Sequence, residues 1–267
     1  MSVFQAFILG ILQGLSEFLP ISSSAHLALA PWILRWSDPG LSFDVALHFG
    51  TLLAVLWYFR AEWFGLLVAA KDMAVRRRIE TERERRVLYL IIATIPGAVA
   101  GLALEKHAES TFRDPRLVAS ALIVMGVLLW AVDRVAPRER TIAAMTWVDA
   151  LLIGLAQMFA IIPGVSRSGS TITAGRAVRL TREDAAIFSF LMSMPIIAAA
   201  AVLKLPDALR EQGVSAPMIV GVLASAISGW LAIRVLLRIV VRHSYGIFAV
   251  YRVILGVAVL ATIALRG

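Results

Sequence analysis

The sequence predicts an all-α integral membrane protein, with six transmembrane helices plus two re-entrant helical hairpins in an inverted-topology repeat. Three observations carry that expectation. Of 267 residues, 60% are hydrophobic and 16% charged, whereas a soluble domain carries roughly 25% charged residues. Apolar runs approaching ~20 residues recur along the chain, the length a helix needs to cross a bilayer, and the short alternating segments of barrel strands are missing. Finally, two polar-loaded stretches echo each other: "SEFLPISSSAH" at 16–26 and "IIPGVSRSGST" at 161–171 both set a proline before a serine cluster.

In chain order, the first apolar segment, 2–30, is broken by Pro20 and reads as a hairpin within 2–40. A span follows at 43–60. The stretch 63–74, ending in Lys71 and Asp72, reads as interfacial. Spans are expected at 87–104 and 117–132. The segment 147–175 is broken by Pro163-Gly164, and three more spans follow at 185–203, 216–235 and 247–265.

Loop charge orients these elements. "KDMAVRRRIETERERR", 71–86, is the most basic loop and belongs on the cytoplasmic side. Counting from it, Arg134, Arg138 and Arg140 fall inside, as do Arg234, Arg238 and Arg242. "RAVRLTR", 176–182, joins them only if 147–175 enters and leaves on one side. Irregular backbone at such a tip is tolerable when buried in protein or lining a wet cavity. The same logic makes 2–40 a hairpin entering from outside. Each half is then one hairpin and three spans, and an odd number of spans inverts the second copy. "GILQGLSEFLPISSS" against "GLAQMFAIIPGVSRS" supports this, each with Gly-x-x-Gln, an apolar stretch, Pro and serines. Residues 1–267 form a single membrane domain, with inverted repeats at about 1–135 and 140–267.

The chain has no cysteine, which excludes disulfides, zinc-thiolate sites and cysteine nucleophiles. The formal charge of +8 sits mostly in short loops. It reads as orientation signal and headgroup contact, not as a nucleic-acid surface. The N-terminus has neither a basic n-region nor a small-residue cleavage site, so no cleaved signal peptide is expected.

Ionisable groups inside apolar segments mark function, because burying them is costly. Glu17 precedes Pro20, with Gln13 one helical turn earlier on the same face. Ser22, Ser23 and Ser24 follow the proline and make a good helix start. His26 lies three residues after Ser23, where an imidazole could activate the hydroxyl as a nucleophile. The plainer alternative is a serine N-cap with a histidine bonded to backbone. Asp44 and His48 are spaced i, i+4 near the outer end of their span, as an interfacial pair or a support to the site. Arg167 is flanked by Ser166, Ser168, Gly169, Ser170 and Thr171. A guanidinium fork, hydroxyls and free N–H groups at a helix start suit a phosphate; a carboxylate partner such as Glu17 is the alternative. Arg252 lies close enough to the inner edge to snorkel and reads as structural. A carboxylate, a serine and a histidine on one hairpin, and an anion site on the other, suit a phosphorylated lipid. Glu17 could also hold Mg²⁺ or Ca²⁺, which take oxygen ligands and are often shared with phosphates.

At these residues the sequence resembles the undecaprenyl-diphosphate phosphatases linked to bacitracin resistance. "QGLSEFLPISSSAH", 13–26, matches that family's (E/Q)xxxE segment with its following proline, serines and histidine. "PGVSRSGSTI", 163–172, matches its PGxSRSG segment. The resemblance covers essentially the whole chain. It implies hydrolysis of undecaprenyl diphosphate to undecaprenyl phosphate, the carrier for cell-wall precursors, at a plasma-membrane site opening outward. By position it implies catalytic roles for Glu17, Ser23, His26 and Arg167, with Ser23 or His26 as nucleophile. Substrate binding falls to Gln13, Ser22, Ser166, Ser168 and Gly169, and a divalent cation, Mg²⁺ or Ca²⁺, to Glu17 and Gln13. Gln13 stands where many members have Glu, which weakens a two-carboxylate metal site. The oligomeric state, a homodimer included, is left open. A lipid-phosphate transporter or flippase is the rival class, since inverted hairpins are transporter architecture; a nucleophile beside Glu17 is what carriage alone does not need.

Overall fold

The computed structural model describes residues 1–109, 112 and 114–266. Among these, the helices are α1 (Val3–Phe18), α2 (Ser23–Leu34), α3 (Leu41–Tyr58), α4 (Arg60–Arg76), α5 (Glu82–Glu109), α6 (Pro115–Val135), α7 (Trp147–Met158), α8 (Arg167–Ala177), α9 (Arg182–Gln212), α10 (Ala216–Arg242) and α11 (Gly246–Arg266). The described residues contain no strand beyond a lone bridge between Arg140 and Leu180.

Five helices are long and apolar enough to cross a membrane, namely α5, α6, α9, α10 and α11. The helices α3 and α4 pass that test only as a pair bent by 82°. This is a multi-pass membrane protein with five candidate spans among the described residues, or six if the bent pair counts as one. The expected span at 43–60 thus corresponds to α3, which stops at Tyr58. The stretch read as interfacial lies within α4, which turns sharply away from it.

Both breaks fall where the sequence put them. α1 stops at Phe18 and α2 starts at Ser23, so Pro20 lies in the turn. α7 runs into a short 3₁₀ turn, Phe159–Ile161, and α8 starts at Arg167, after Pro163-Gly164. Each first arm opens on a capping box: Ser2 with Gln5, and Thr146 with Asp149. Each second arm is capped by a serine at positive φ, Ser22 at 77° and Ser166 at 72°. An L-residue held there costs about 1–3 kcal/mol and persists only where its surroundings fix it. The Ser22 hydroxyl accepts from Ala25 N at 3.3 Å, and the Ser166 hydroxyl from Gly169 N at 3.0 Å.

The packing follows the same pairing. α1 lies along α10 and α7 along α5, while α6 pairs with α11 and α3 with α9. Lipid tails are as apolar as leucine, so association in a bilayer depends on close backbone approach. A Cβ at Gly14 would fall 2.4 Å from Ser225 O on α10; one at Gly154 would fall 2.6 Å from Ala93 O on α5.

One end of the molecule is tied by a buried charge network. Asp133, at the end of α6, accepts from Arg176 Nε (3.1 Å), Arg182 Nε and Nη2 (both 2.7 Å) and Tyr245 N (3.1 Å). Arg140 reaches both Asp149, in the first turn of α7, and Val178 O, at the end of α8. The hairpin α7–α8 therefore begins and ends beside the same loop, and the loops after α6, α8 and α10 meet there. These are loops that the charge count assigned to one side.

Candidate functional site

The two hairpin turns touch in the interior. Gly164 N donates to Ser22 Oγ (3.1 Å) and Ser168 Oγ to Leu19 O (3.1 Å). Gly164 adopts φ +97°, and a Cβ there would lie 2.4 Å from Val118 O, so glycine is required on both counts. Arg252 closes the contact. It is fully buried and donates to Pro20 O (3.0 Å) in one turn and to Gly164 O (2.7 Å) and Val165 O (3.0 Å) in the other. It does not snorkel: its guanidinium is spent on the turn carbonyls that a helix break leaves unpaired. Its role is structural, but at the centre of the protein.

Beside this contact lies a cavity of about 290 Å³. Its lining includes the polar residues Glu17, Ser23, Ser24, His48, Gln157, Ser166 and Arg167 and, among the apolar ones, Gly97, Gly101, Ile197, Ala200 and Ala201. A larger groove of about 650 Å³ between α3 and α10, lined by Leu53, Trp57, Ile227 and Trp230, carries no ionisable side chain and no chemistry follows from it.

Glu17 is the hub. Its Oε1 accepts from Arg167 Nη2 at 2.8 Å. Its Oε2 accepts from Ser23 Oγ at 2.6 Å and from Gln13 Nε2 at 3.1 Å, with His48 Nε2 at 3.4 Å. Arg167 Nη1 also donates to Ser189 O at 3.0 Å, and Thr171 and Ser189 hydroxyls pair at 2.7 Å. Guanidinium has five donors, so these two contacts leave capacity for an anion in the cavity. The carboxylate partner considered for Arg167 is present, and it is Glu17. A buried pair of this kind is costly to break by removing one member.

The structure therefore brings together Glu17, Gln13, Ser23 and Arg167. It does not bring His26 to Ser23. His26 Nδ1 faces Ser22 O at 2.7 Å and so carries the proton, while Nε2 accepts from Tyr251 Oη at 2.7 Å, with the two rings stacked. Both nitrogens are thus engaged, and the Ser23 hydroxyl points to Glu17 instead. Ser166 lines the cavity. Ser22, Ser168 and Gly169 are buried in the contact between turns, and the space a Cβ would need at Gly169 is taken by Arg252 Nη1, 2.5 Å away.

His48 is recruited more fully than its spacing from Asp44 conveyed. Its Nδ1 donates to Asp44 O rather than to the carboxylate, which turns Nε2 toward Glu17. Ser189 and Tyr251 gave no signal in the sequence.

Among the described residues no cluster of three or more His, Asp or Glu suits a metal ion. The donors present nevertheless fit an oxygen-liganded cation. Gln13 Oε1 is buried without a hydrogen-bond partner, next to a carboxylate that has four lone-pair sites. Mg²⁺ commonly binds one carboxylate and fills the rest of its shell with water and substrate phosphate.

Residues 6–258 match the family described as Bacitracin resistance protein BacA. A protein named undecaprenyl-diphosphatase from Gemmatimonas aurantiaca is 61% identical over the whole of both chains. Proteins of the same name from Pelotomaculum thermopropionicum and Moorella thermoacetica are 50% and 48% identical, each over the whole of this chain and 98% and 100% of their own.

Proposed function

The chain belongs to the bacitracin resistance protein BacA family, and from that premise we propose that it hydrolyses undecaprenyl diphosphate to undecaprenyl phosphate and inorganic phosphate. This recycles the lipid carrier of cell-wall (peptidoglycan) synthesis and confers bacitracin resistance. One observation carries the chemistry: a serine hydroxyl 2.6 Å from a carboxylate whose other oxygen is held by an arginine, at the wall of a cavity inside a membrane protein.

Arg167 binds the diphosphate oxygens. Ser23 Oγ attacks the terminal phosphorus, the bond from that phosphorus to the bridging oxygen breaks, and undecaprenyl phosphate leaves with the electron pair. The Ser23 proton passes to Glu17 Oε2, the acceptor it already faces. Water then adds to the phosphoserine phosphorus and passes one proton to a phosphate oxygen, the P–Oγ bond breaks, Glu17 returns the proton it took to Ser23 Oγ, and inorganic phosphate departs. His26 fixes the turn from which Ser23 projects; the geometry supports Glu17 over His26 as the group that takes the proton. A divalent cation, Mg²⁺ or Ca²⁺, held by Glu17 and Gln13 would supply charge neutralisation. Phosphoryl transfer asks mainly for positioning and electrostatic stabilisation, which this constellation offers.

The setting we propose is six spans and two re-entrant hairpins in one domain, with inverted repeats at about 1–135 and 140–267. The matching serine caps, the parallel pairings α1–α10 and α7–α5, and the entry and exit of α7–α8 beside one loop support it. The site then opens to the outer face of the plasma membrane, with the prenyl tail left in the bilayer, and a homodimer is compatible with this arrangement.

Phosphate release from undecaprenyl diphosphate by the detergent-solubilised protein tests the reading. Turnover that requires metal and is lost in Ser23→Ala supports it. Wild type that binds the lipid but releases no phosphate puts transport in its place.

A further inference from the structure

Gln157 is a polar side chain that the mechanism above does not use. It sits at the end of α7, is 4% exposed, and lines the cavity that holds Glu17, Ser23 and Arg167. Neither its Nε2 nor its Oε1 has a hydrogen-bond partner among the described residues. A buried amide left unpaired costs the full desolvation of its donors and acceptor, so such a group calls for an explanation. Packing gives none. A Cβ at Gly97, on α5, would fall 2.3 Å from Gln157 Nε2. A mid-helix glycine is itself unfavourable relative to alanine, yet here it clears the space the amide occupies. A methionine or leucine would fill the same volume without stranding polar atoms.

We infer that Gln157 is a substrate-contacting residue, whose Nε2 donates to a non-bridging oxygen of the diphosphate opposite Arg167. Phosphate oxygens only accept unless protonated, and an amide N–H₂ supplies two donors without adding charge. The Oε1 of the same amide then accepts from a phosphate O–H or from water beside it. The repeat gives the assignment a counterpart. Gln13 holds the corresponding place on α1, and there the amide donates to Glu17. In the second hairpin Ile161 stands where Glu17 would be, so Gln157 has no carboxylate to serve and its donor is left for the ligand.

The inference rests on the phosphatase reading, and the test separates the two. Gln157→Met keeps the volume and removes the stranded polar atoms; Gln157→Glu keeps the shape and puts a carboxylate against the diphosphate. Steady-state kinetics on undecaprenyl diphosphate would be paired with thermal unfolding, with and without inorganic pyrophosphate. The expected result for Gln157→Met is a KM raised about ten- to a hundredfold, kcat reduced less, and an unfolding temperature in the absence of ligand equal to or above wild type. Gln157→Glu is expected to bind more weakly still. A KM within about twofold of wild type, or an unfolding temperature that falls in Gln157→Met, overturns the inference, because the amide would then serve packing alone. If wild type releases no phosphate from the lipid, the phosphatase reading falls and pyrophosphate decides this one. Stabilisation by pyrophosphate that is lost in Gln157→Met supports the contact; equal stabilisation, or none in either protein, removes it.

Discussion

Ser22 and Ser166 occupy the same place in two different turns. Each caps a helix, each sits at positive φ, and each accepts from the backbone N–H three residues on. Around that shared backbone the side chains diverge. The first turn is preceded by Glu17 and followed by Ser23; the second has Ile161 and Arg167 at the corresponding places. One hairpin thus supplies carboxylate and hydroxyl, and the other supplies the cation. The comparison teaches that the two turns share one way to end and restart a helix, while the polar side chains beside the cavity are divided between them. Neither turn holds this constellation until they touch.

The sharpest way to break this division is to remove its charges singly and together. Arg167→Ala and Glu17→Ala should each lower kcat/KM by about 10²–10³-fold or more. Because the two share one contact, the double variant should be little worse than the worse single one. Losses that multiply in rate assays would mean the hairpins act independently. Next in size is the clasp. Arg252→Met leaves Pro20 O, Gly164 O and Val165 O without their donor, and should cost roughly 3 kcal/mol in thermal or denaturant unfolding. It should loosen both turns at once, visible as faster hydrogen exchange at residues 21–24 and 164–168 alike; exchange confined to one turn would show that the clasp serves only that turn.

His26 sharpens the comparison within the first turn. If it holds the turn, Tyr251→Phe should lower kcat modestly, by less than about tenfold, and leave the shape of the pH–rate profile as in wild type. Loss of a limb of that profile in His26→Gln would instead assign the imidazole to proton transfer. The smallest expected difference lies between the caps. Ser166→Ala should cost about 1 kcal/mol of stability. Ser22→Ala should cost more, since its hydroxyl also accepts from Gly164 N across the hairpins. Equal costs would mean that this cross-turn bond contributes nothing.

The break points were legible because each proline stands beside a serine cluster that can cap a new helix; proline alone is no signal, since Pro31, Pro96, Pro195 and Pro206 lie inside helices. Gln13 and Glu17 were placed together by helical spacing, and they do meet. The same argument failed for Ser23 and His26. Neighbouring positions at a helix start permit a contact, but rotamers choose between partners, and Tyr251 from α11 offered the imidazole a better one. Asp44 and His48 show the same limit, for the ring takes the backbone carbonyl and turns its other nitrogen to Glu17.

By itself the sequence determined the helical character of the chain, its membrane setting, the two interruptions and the identities of the polar groups beside them. All of these are properties of composition and of spacing along one helix. Only the tertiary structure decided that Arg167 is held by Glu17, that Arg252 is buried across both turns, and that Gln157 is stranded at the cavity wall. Each depends on which helix packs against which and at what rotation. No periodicity within a segment encodes that, because the neighbour lies on a different segment of the chain.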